Sequence, residues 1–158
     1  MKTLIVYGSK HGCVEKCSKE LKDKLHGEVV TVDIKKDSVP DIGLFDNIII
    51  GGSVYAGKIQ KGITEFCCKN INELKDKNIG LFICGMIEEQ KGKAELNNVF
   101  PEELLSKAVA KEYFGGEVIF SKMNFFEKFI IKKVCKINED VSNIISENIS
   151  KFIKVMNN

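Results

Sequence analysis

The residues best suited to chemistry in this sequence lie in three loops, each directly after an apolar run. The first loop, residues 8–15, reads G-S-K-H-G-C-V-E and leads straight into a helical pattern. A glycine-containing turn at a helix N-terminus offers unpaired N–H groups and the positive end of the helix dipole to an anion. This loop predicts a phosphate site, against the alternative of an ordinary serine-capped turn. Its candidate residues are Ser9, Lys10, His11, Gly12, Cys13 and Val14.

The other two loops suit the walls of a flat, apolar ligand. Glycines surround an aromatic residue in Gly51–Gly57, where Tyr55 could stack on a planar ring. Cys84–Ile87 ends the next apolar run with further apolar residues, where solvent would favour polar ones. A flexible surface loop and a partly buried turn are the respective alternatives. The candidate wall residues are Ser53, Val54, Tyr55, Ala56, Gly57, Cys84, Gly85, Met86 and Ile87.

Short apolar strands alternate with helical patterns along the chain, which predicts an α/β fold with a parallel sheet covered on both faces. The expected strands are Thr3–Tyr7, Glu28–Ile34, Asn47–Gly51, Lys77–Cys84 and Ala108–Phe114. The expected helices cover residues 14–26, 61–71 and 139–156. Right-handed crossovers favour a doubly wound five-stranded parallel sheet of order 2-1-3-4-5. We expect one domain over residues 1–158, with the three loops together at the carboxyl ends of its strands.

Composition narrows the classes of partner. A formal net charge of +2 is too small to indicate nucleic-acid binding, and all 24 basic residues are lysines. A phosphate would therefore be held by backbone N–H groups, hydroxyls or lysines rather than by an arginine fork. No apolar run is long enough to span a membrane, and the six cysteines show no C-x-x-C pair. We expect a cytoplasmic protein with free thiols.

Three stretches of the sequence resemble a known family. The loop Tyr7–Glu15 resembles the flavodoxin phosphate loop, with Ser9 and Gly12 at matching positions and Lys10, His11 and Val14 in place of hydroxyl residues. Gly51–Phe66 and Gly115–Ile137 look more specifically like the menaquinone-dependent protoporphyrinogen IX dehydrogenase branch. The resemblance implies a flavodoxin-like fold with one noncovalent FMN. Ser9–Val14 would then hold its phosphate, and Ser53–Gly57 and Cys84–Ile87 would flank its ring.

Three functions follow as hypotheses. The first is an electron carrier that docks on a redox partner protein. A second is an FMN-dependent enzyme that oxidises a small substrate such as protoporphyrinogen IX with a quinone acceptor, and the third is a flavin-free interaction domain. A dinucleotide-binding domain is disfavoured because Glu15 replaces the last glycine of its motif, and a phosphoacceptor domain because Gly51–Ser53 lacks a carboxylate. No catalytic acid or base is expected, since electron transfer needs none.

Two further clusters allow more than one interpretation. Cys13, Cys17 and His11 could suggest a metal, but they lack a fourth ligand, so we expect none. Between residues 123 and 137, a stripe of aromatic and aliphatic residues is backed by lysines. The stripe favours packing against the sheet. The alternative is a basic amphipathic surface that makes peripheral contact with a membrane or binds an acidic redox partner.

Overall fold

Five parallel strands form the central sheet of the computed structural model, which describes residues 1–158. The order is β2-β1-β3-β4-β5, so the fold prediction is confirmed. The strands are β1 (Lys2–Gly8), β2 (Glu28–Asp33), β3 (Asn47–Ser53), β4 (Asn78–Cys84) and β5 (Ala110–Tyr113). β1, β3 and β4 are runs of β-branched and aromatic residues with almost no exposed surface, as expected of strands covered on both faces.

Helices cover both faces of this sheet. They are α1 (Cys13–Lys24), α2 (Lys61–Lys69), α3 (Ile71–Leu74), α4 (Glu89–Val99), α5 (Glu102–Leu105), α6 (Phe125–Val134) and α7 (Ser146–Met156). On one face α1 and α7 pack over a cluster of aromatic rings, in which Phe82 stacks on Phe114 at 4.6 Å and Phe152 meets both edge-on. On the other face α2 to α5 bury a larger aliphatic cluster. The sheet edge that carries the loops is thereby held between two packed layers.

A second, two-stranded sheet was not expected from the sequence. β6 (Gly115–Val118) pairs antiparallel with β7 (Val141–Ile144), and α6 lies between them in the chain. The expected helix over residues 139–156 is therefore wrong in its first part, since α7 begins only at Ser146. Val141 and Ile144 fit a helical spacing, but they are β-branched and pair with β6. The Ile145 N–H donates to the Phe114 carbonyl.

The interpretation of the 123–137 stripe as a core-packing face is also wrong. Phe125 and Phe129 are 87% and 52% exposed, and Phe126 and Val134 are exposed as well. α6 buries Ile131 instead, against Val118 and Met123. The helix thus rests on a narrow contact and turns its aromatic side to solvent. No helix of the structure is both long and apolar enough to cross a membrane.

Candidate functional site

The loop between β1 and α1 is shaped around the hydroxyl of Ser9. Ser9 Oγ accepts hydrogen bonds from the N–H groups of Gly12, at 3.1 Å, and Glu15, at 3.4 Å. Gly12 precedes the helix with a φ of 90°, in the left-handed region that favours glycine. The N–H groups of Cys13 and Val14, in the first turn of α1, donate to no acceptor in the protein. Donors that converge on one oxygen at a helix N-terminus form a concave site for an anion.

A lysine that the sequence analysis did not assign to this loop reaches it from another segment. The Nζ of Lys122 lies 3.4 Å from the position that a Cβ would take on Gly12. Lys122 belongs to the short 3-10 turn Phe120–Lys122 between β6 and α6, more than one hundred residues along the chain. Its position adds a positive charge directly beside the anion-binding backbone. Only the tertiary fold brings the two together, so the local sequence pattern carries no signal for it.

His11 connects the same loop to α6. Its Nδ1 lies 2.8 Å from Glu127 Oε2, although the two groups are not aligned as a hydrogen bond. Burial lowers the pKa of His11 below its ordinary value, and Lys10 acts in the same direction, while Glu127 opposes the shift. His11 is therefore a neutral, half-buried bridge between the loop and α6 near neutral pH.

The second loop is a tight turn. Tyr55 and Lys58 exchange two backbone hydrogen bonds of 2.9 and 3.0 Å, and the two residues between them, Ala56 and Gly57, have φ values of 49° and 75°. Two successive positive φ values are the pattern of a type I′ turn, in which asparagine or glycine is usual at the first central position. Ala56 is therefore held in a strained conformation. Strained residues of this kind cluster at ligand-binding sites.

Tyr55 itself is placed between the two loops. The ammonium of Lys10 lies 4.7 Å from the centre of its ring, within reach of a cation–π interaction. The ring packs against the Val118–Met123–Ile131 cluster beneath α6, and its hydroxyl is buried without a hydrogen-bond partner. Gly51 and Gly52, which the sequence suggested as places of close ligand approach, instead make room for Phe82 and Ile59 of the protein.

Tyr113 of β5 fixes the third loop. Its hydroxyl oxygen lies 2.8 Å from the carbonyl oxygen of Ile87, accepts from the Ile87 N–H at 3.3 Å, and also contacts the Gly85 carbonyl. Burial raises the pKa of Tyr113, which keeps the phenol protonated and able to donate. The backbone of residues 85–87 is therefore held in one conformation at the end of β4.

The three loops enclose one largely apolar cavity of about 270 Å³. Of the candidate residues, those that line it are Ser9, Lys10, His11, Cys13, Val14, Ser53, Val54, Tyr55, Ala56, Cys84, Gly85, Met86 and Ile87. Gly12 and Gly57 shape their loops but do not line the cavity. The structure therefore brings residues from three separate loops together around one space at the carboxyl edge of the sheet.

The remaining wall comes from β6 and α6, which the sequence analysis did not include in the site. Its residues are Gly116, Glu117, Val118, Ile131, Val134 and Cys135. The carboxylate of Glu117 is held by Lys16 at 3.0 Å and accepts from the Ser142 hydroxyl at 2.9 Å. The one sequence signal for this wall is the Gly115-Gly116 pair at the start of β6, where Gly116 packs against the Gly85 carbonyl.

Three thiols meet beneath the cavity. The sulfur atoms of Cys13, Cys17 and Cys84 all lie within 4.8 Å of one another, and Cys17 and Cys84 are 3.9 Å apart. Hydrogen bonds from Cys17 and Cys84 lower the pKa of Cys13, whereas the pKa values of Cys17 and Cys84 are raised. The sequence suggested His11 as a companion of Cys13 and Cys17, but His11 faces Glu127 and the third member is Cys84.

A second cavity of about 500 Å³ adjoins the first and has a different character. Ser9, Lys10, Ser53 and Tyr55 line both cavities, and Lys35, Lys58 and Lys61 add three further ammonium groups around the second. A positive surface therefore borders the apolar cavity on the side of α2.

Comparisons with known proteins agree on the architecture. The family model described as a flavodoxin domain matches residues 4–144. No protein of curated function matches the sequence. Among solved structures, a flavodoxin from the domain Archaea is similar with a TM-score of 0.60 and 9% identity, covering 99% of this chain and 94% of that one.

Two bacterial structures are similar over nearly the whole of this chain. The flavodoxin of Fusobacterium nucleatum bound to flavin mononucleotide has a TM-score of 0.52 and 14% identity, covering 97% of this chain and 95% of its own. Rubredoxin oxygen:oxidoreductase from Desulfovibrio gigas has a TM-score of 0.55 and 14% identity, covering 98% of this chain. This chain spans only 34% of that oxidoreductase. At these identities the likeness concerns the fold.

Proposed function

This chain belongs to the flavodoxin domain family, and from that premise we propose that it binds one FMN and transfers electrons between redox partners. The observation that carries the proposal is the joining of an anion-binding helix N-terminus to an apolar cavity at the carboxyl edge of the sheet. Bound FMN would supply the redox chemistry, while the protein binds it, orients it and shields it from water.

The phosphate end of the ligand is matched by the β1–α1 loop. The unpaired N–H groups of Cys13 and Val14, with those that now donate to Ser9 Oγ, provide several backbone donors for a dianion. Lys122 adds a positive charge beside Gly12, which compensates for the absence of arginine. Together these groups can bind a phosphate through backbone amides and one ammonium.

The ring end is matched by the apolar cavity. Tyr55, Met86 and Val118 offer flat or adaptable apolar surface, and Ile131 and Val134 close the space from α6. Ligand cavities usually measure about 300–1,000 Å³, so this cavity of about 270 Å³ lies just below that range. We therefore expect α6 to move outward when the ring enters. The free-energy cost of that movement is small, because Ile131 is the single buried residue of α6.

The test is flavin titration of the purified full chain, followed by quenching of flavin fluorescence. We expect saturation at about one FMN per chain, with a yellow complex and much weaker binding of FAD. The two flavins form a matched pair of ligands, because they share the ring and only FMN ends at the phosphate that the β1–α1 loop would bind. A protein that quenches neither flavin at micromolar concentration would support the flavin-free interaction domain instead.

A second candidate is a quinone-linked flavoenzyme at a membrane surface, with protoporphyrinogen IX as a substrate of the kind it would oxidise. The observation that favours it is the exposed aromatic side of α6, with Phe125, Phe126 and Phe129 beside Lys132 and Lys133. A lipid-soluble acceptor would then reach the cavity wall formed by the same helix. An FMN-loaded protein that is inactive toward a porphyrinogen with a menaquinone analogue would leave the electron carrier as the better account.

A further inference from the structure

Three buried sulfur atoms from two elements meet at the base of the cavity. Cys13 and Cys17 lie one turn apart on α1, and Cys84 ends β4, which packs against that helix. Cys17 and Cys84 are each 1% exposed and Cys13 is 9% exposed. Since Cys13 and Cys84 line the cavity, the cluster can be reached from that side.

The spacing of the sulfur atoms matches a single bound ion. Metal–sulfur bonds of about 2.3 Å in a trigonal plane place the sulfurs about 4.0 Å apart. Cys17 and Cys84 are already 3.9 Å apart, and no pair in the cluster exceeds 4.8 Å. Small side-chain rotations would therefore bring all three sulfurs to bonding distance of one centre.

The ligand set selects the kind of ion. Three sulfur ligands without nitrogen or oxygen favour soft ions such as Cu(I), whereas structural zinc takes four ligands. Nearby groups do not supply a fourth, because His11 faces Glu127 and Cys135 lies beside Tyr55. We propose that Cys13, Cys17 and Cys84 form a three-sulfur site for a thiophilic ion of low coordination number, and that Cu(I) is the ion it fits best.

Binding at this site is an exchange of protons for the ion, with no change in oxidation state. The thiols that become ligands release their protons to solvent, and Cu(I) enters through the cavity. Cys13 is the first residue of α1, so the positive end of the helix dipole offsets part of the thiolate charge. Lys16, whose Nζ is paired with Glu117, lies one turn farther along the same helix. The site needs no flavin, although Cys13 and Cys84 also line the cavity proposed for FMN.

The test is anaerobic titration of the reduced full chain with Cu(I) in competition with a chromogenic Cu(I) chelator. We expect one ion per chain, and X-ray absorption should show three sulfur neighbours at about 2.3 Å. Cys84→Ser should lower the affinity at least about 100-fold, since even the partners of metal ligands contribute roughly 10- to 100-fold. Cys67→Ser is the matched control, because Cys67 is an equally buried thiol in α2 on the other face of the sheet.

A second measurement keeps the proposal testable if Cys84→Ser does not fold. Cu(I) should protect Cys13 of the unaltered protein from alkylation, while the exposed Cys68 should react at the same rate with and without the ion. Equal loss of Cu(I) binding in Cys84→Ser and Cys67→Ser would overturn the proposal. So would fewer than three sulfur neighbours, or a Cys13 that Cu(I) does not protect.

Discussion

Lys122 is the side chain whose role depends most on the tertiary structure. It is separated from the β1–α1 loop by most of the chain, yet its ammonium lies beside Gly12. Ser9 already collects two backbone donors, so the loop is preorganised for an anion before any ligand arrives. For an anion bound at this loop, Lys122 would supply the positive charge and the backbone N–H groups would supply the directed hydrogen bonds.

We expect Lys122→Gln to weaken FMN binding by about tenfold, equivalent to about 1.4 kcal/mol. The reason is the loss of one charge-assisted contact to the phosphate, while the backbone donors remain. Flavin fluorescence titration measures the effect, which should shrink as the salt concentration rises. Lys154→Gln, an exposed change of the same charge on α7, is the control. If the two variants bind FMN equally well, Lys122 does not contact the phosphate.

Among the elements, α6 is joined to the β1–α1 loop through a histidine. His11 in the loop and Glu127 in α6 approach to 2.8 Å, and burial holds the pKa of His11 below its ordinary value. A histidine with a depressed pKa in the folded state binds fewer protons there than in the unfolded state. Its contribution to stability is therefore present above the ordinary histidine pKa and is lost as the pH falls through that range.

We accordingly expect the free energy of unfolding to fall between about pH 7 and about pH 5, and to fall less steeply in His11→Gln. Urea denaturation at several pH values measures both slopes. The control is His26→Gln, which replaces an exposed histidine beyond the end of α1. A slope that is the same in all three proteins would show that His11 is not the group that titrates.

The elements that could be predicted from the sequence are those whose signal is local. β1, β3 and β4 are continuous apolar runs in the sequence. The β1–α1 loop is indicated by glycine and serine residues directly before a helical pattern. The β6–β7 pair could not be predicted in this way, because Gly115–Val118 is short and its partner lies beyond an intervening helix. The same applies to the thiol cluster, since Cys84 joins Cys13 and Cys17 only through the packing of β4 against α1.

The aromatic stripe shows why periodicity alone does not decide burial. The spacing of its apolar residues suits a helix packed on a sheet. However, α1 and α7 already cover the sheet face that carries the aromatic cluster, and α6 is anchored by Ile131 alone. The apolar side chains of α6 that find no place in the core therefore face solvent. Whether a helix is buried therefore depends on which other helices already cover the sheet, and this cannot be read from its own residues.

At the scale of the whole molecule, lysines and exposed apolar side chains lie together on the side that carries α6. Lys133 lies 5.7 Å from the ring centre of Phe129, and Lys132 lies 5.6 Å from that of Phe120. Such interleaving of lysines and aromatic rings suits the interface of an anionic bilayer, where rings enter the headgroup region and ammonium groups bind phosphates. This surface adjoins the cavity through Ile131 and Val134.

We expect the protein to sediment with anionic vesicles at low salt. Lys128→Gln, Lys132→Gln and Lys133→Gln combined should weaken binding roughly 100-fold, since each lysine near an anionic surface contributes about 1 kcal/mol. The same number of charges removed at Lys19, Lys22 and Lys24 of α1 is the control, because those lysines lie on an element away from the aromatic rings. Absence of binding, or an equal loss in both variants, would favour a carrier that meets only protein partners.

The two ends of the segment that contains β6, α6 and β7 meet at the core, and this bears on how FMN would dissociate. Residues 115–144, which contain β6, α6 and β7, form an excursion from the core. Gly115 pairs with Ile144, and the Ile145 N–H donates to the Phe114 carbonyl at 2.9 Å, so the two ends of the excursion lie next to each other. β5 before it and α7 after it are both anchored in the aromatic core. The excursion can therefore detach as one cooperative unit while the sheet stays folded. Its backbone amides would exchange with solvent deuterium together and earlier than those of the sheet, and the residence time of FMN would follow that opening rather than global unfolding.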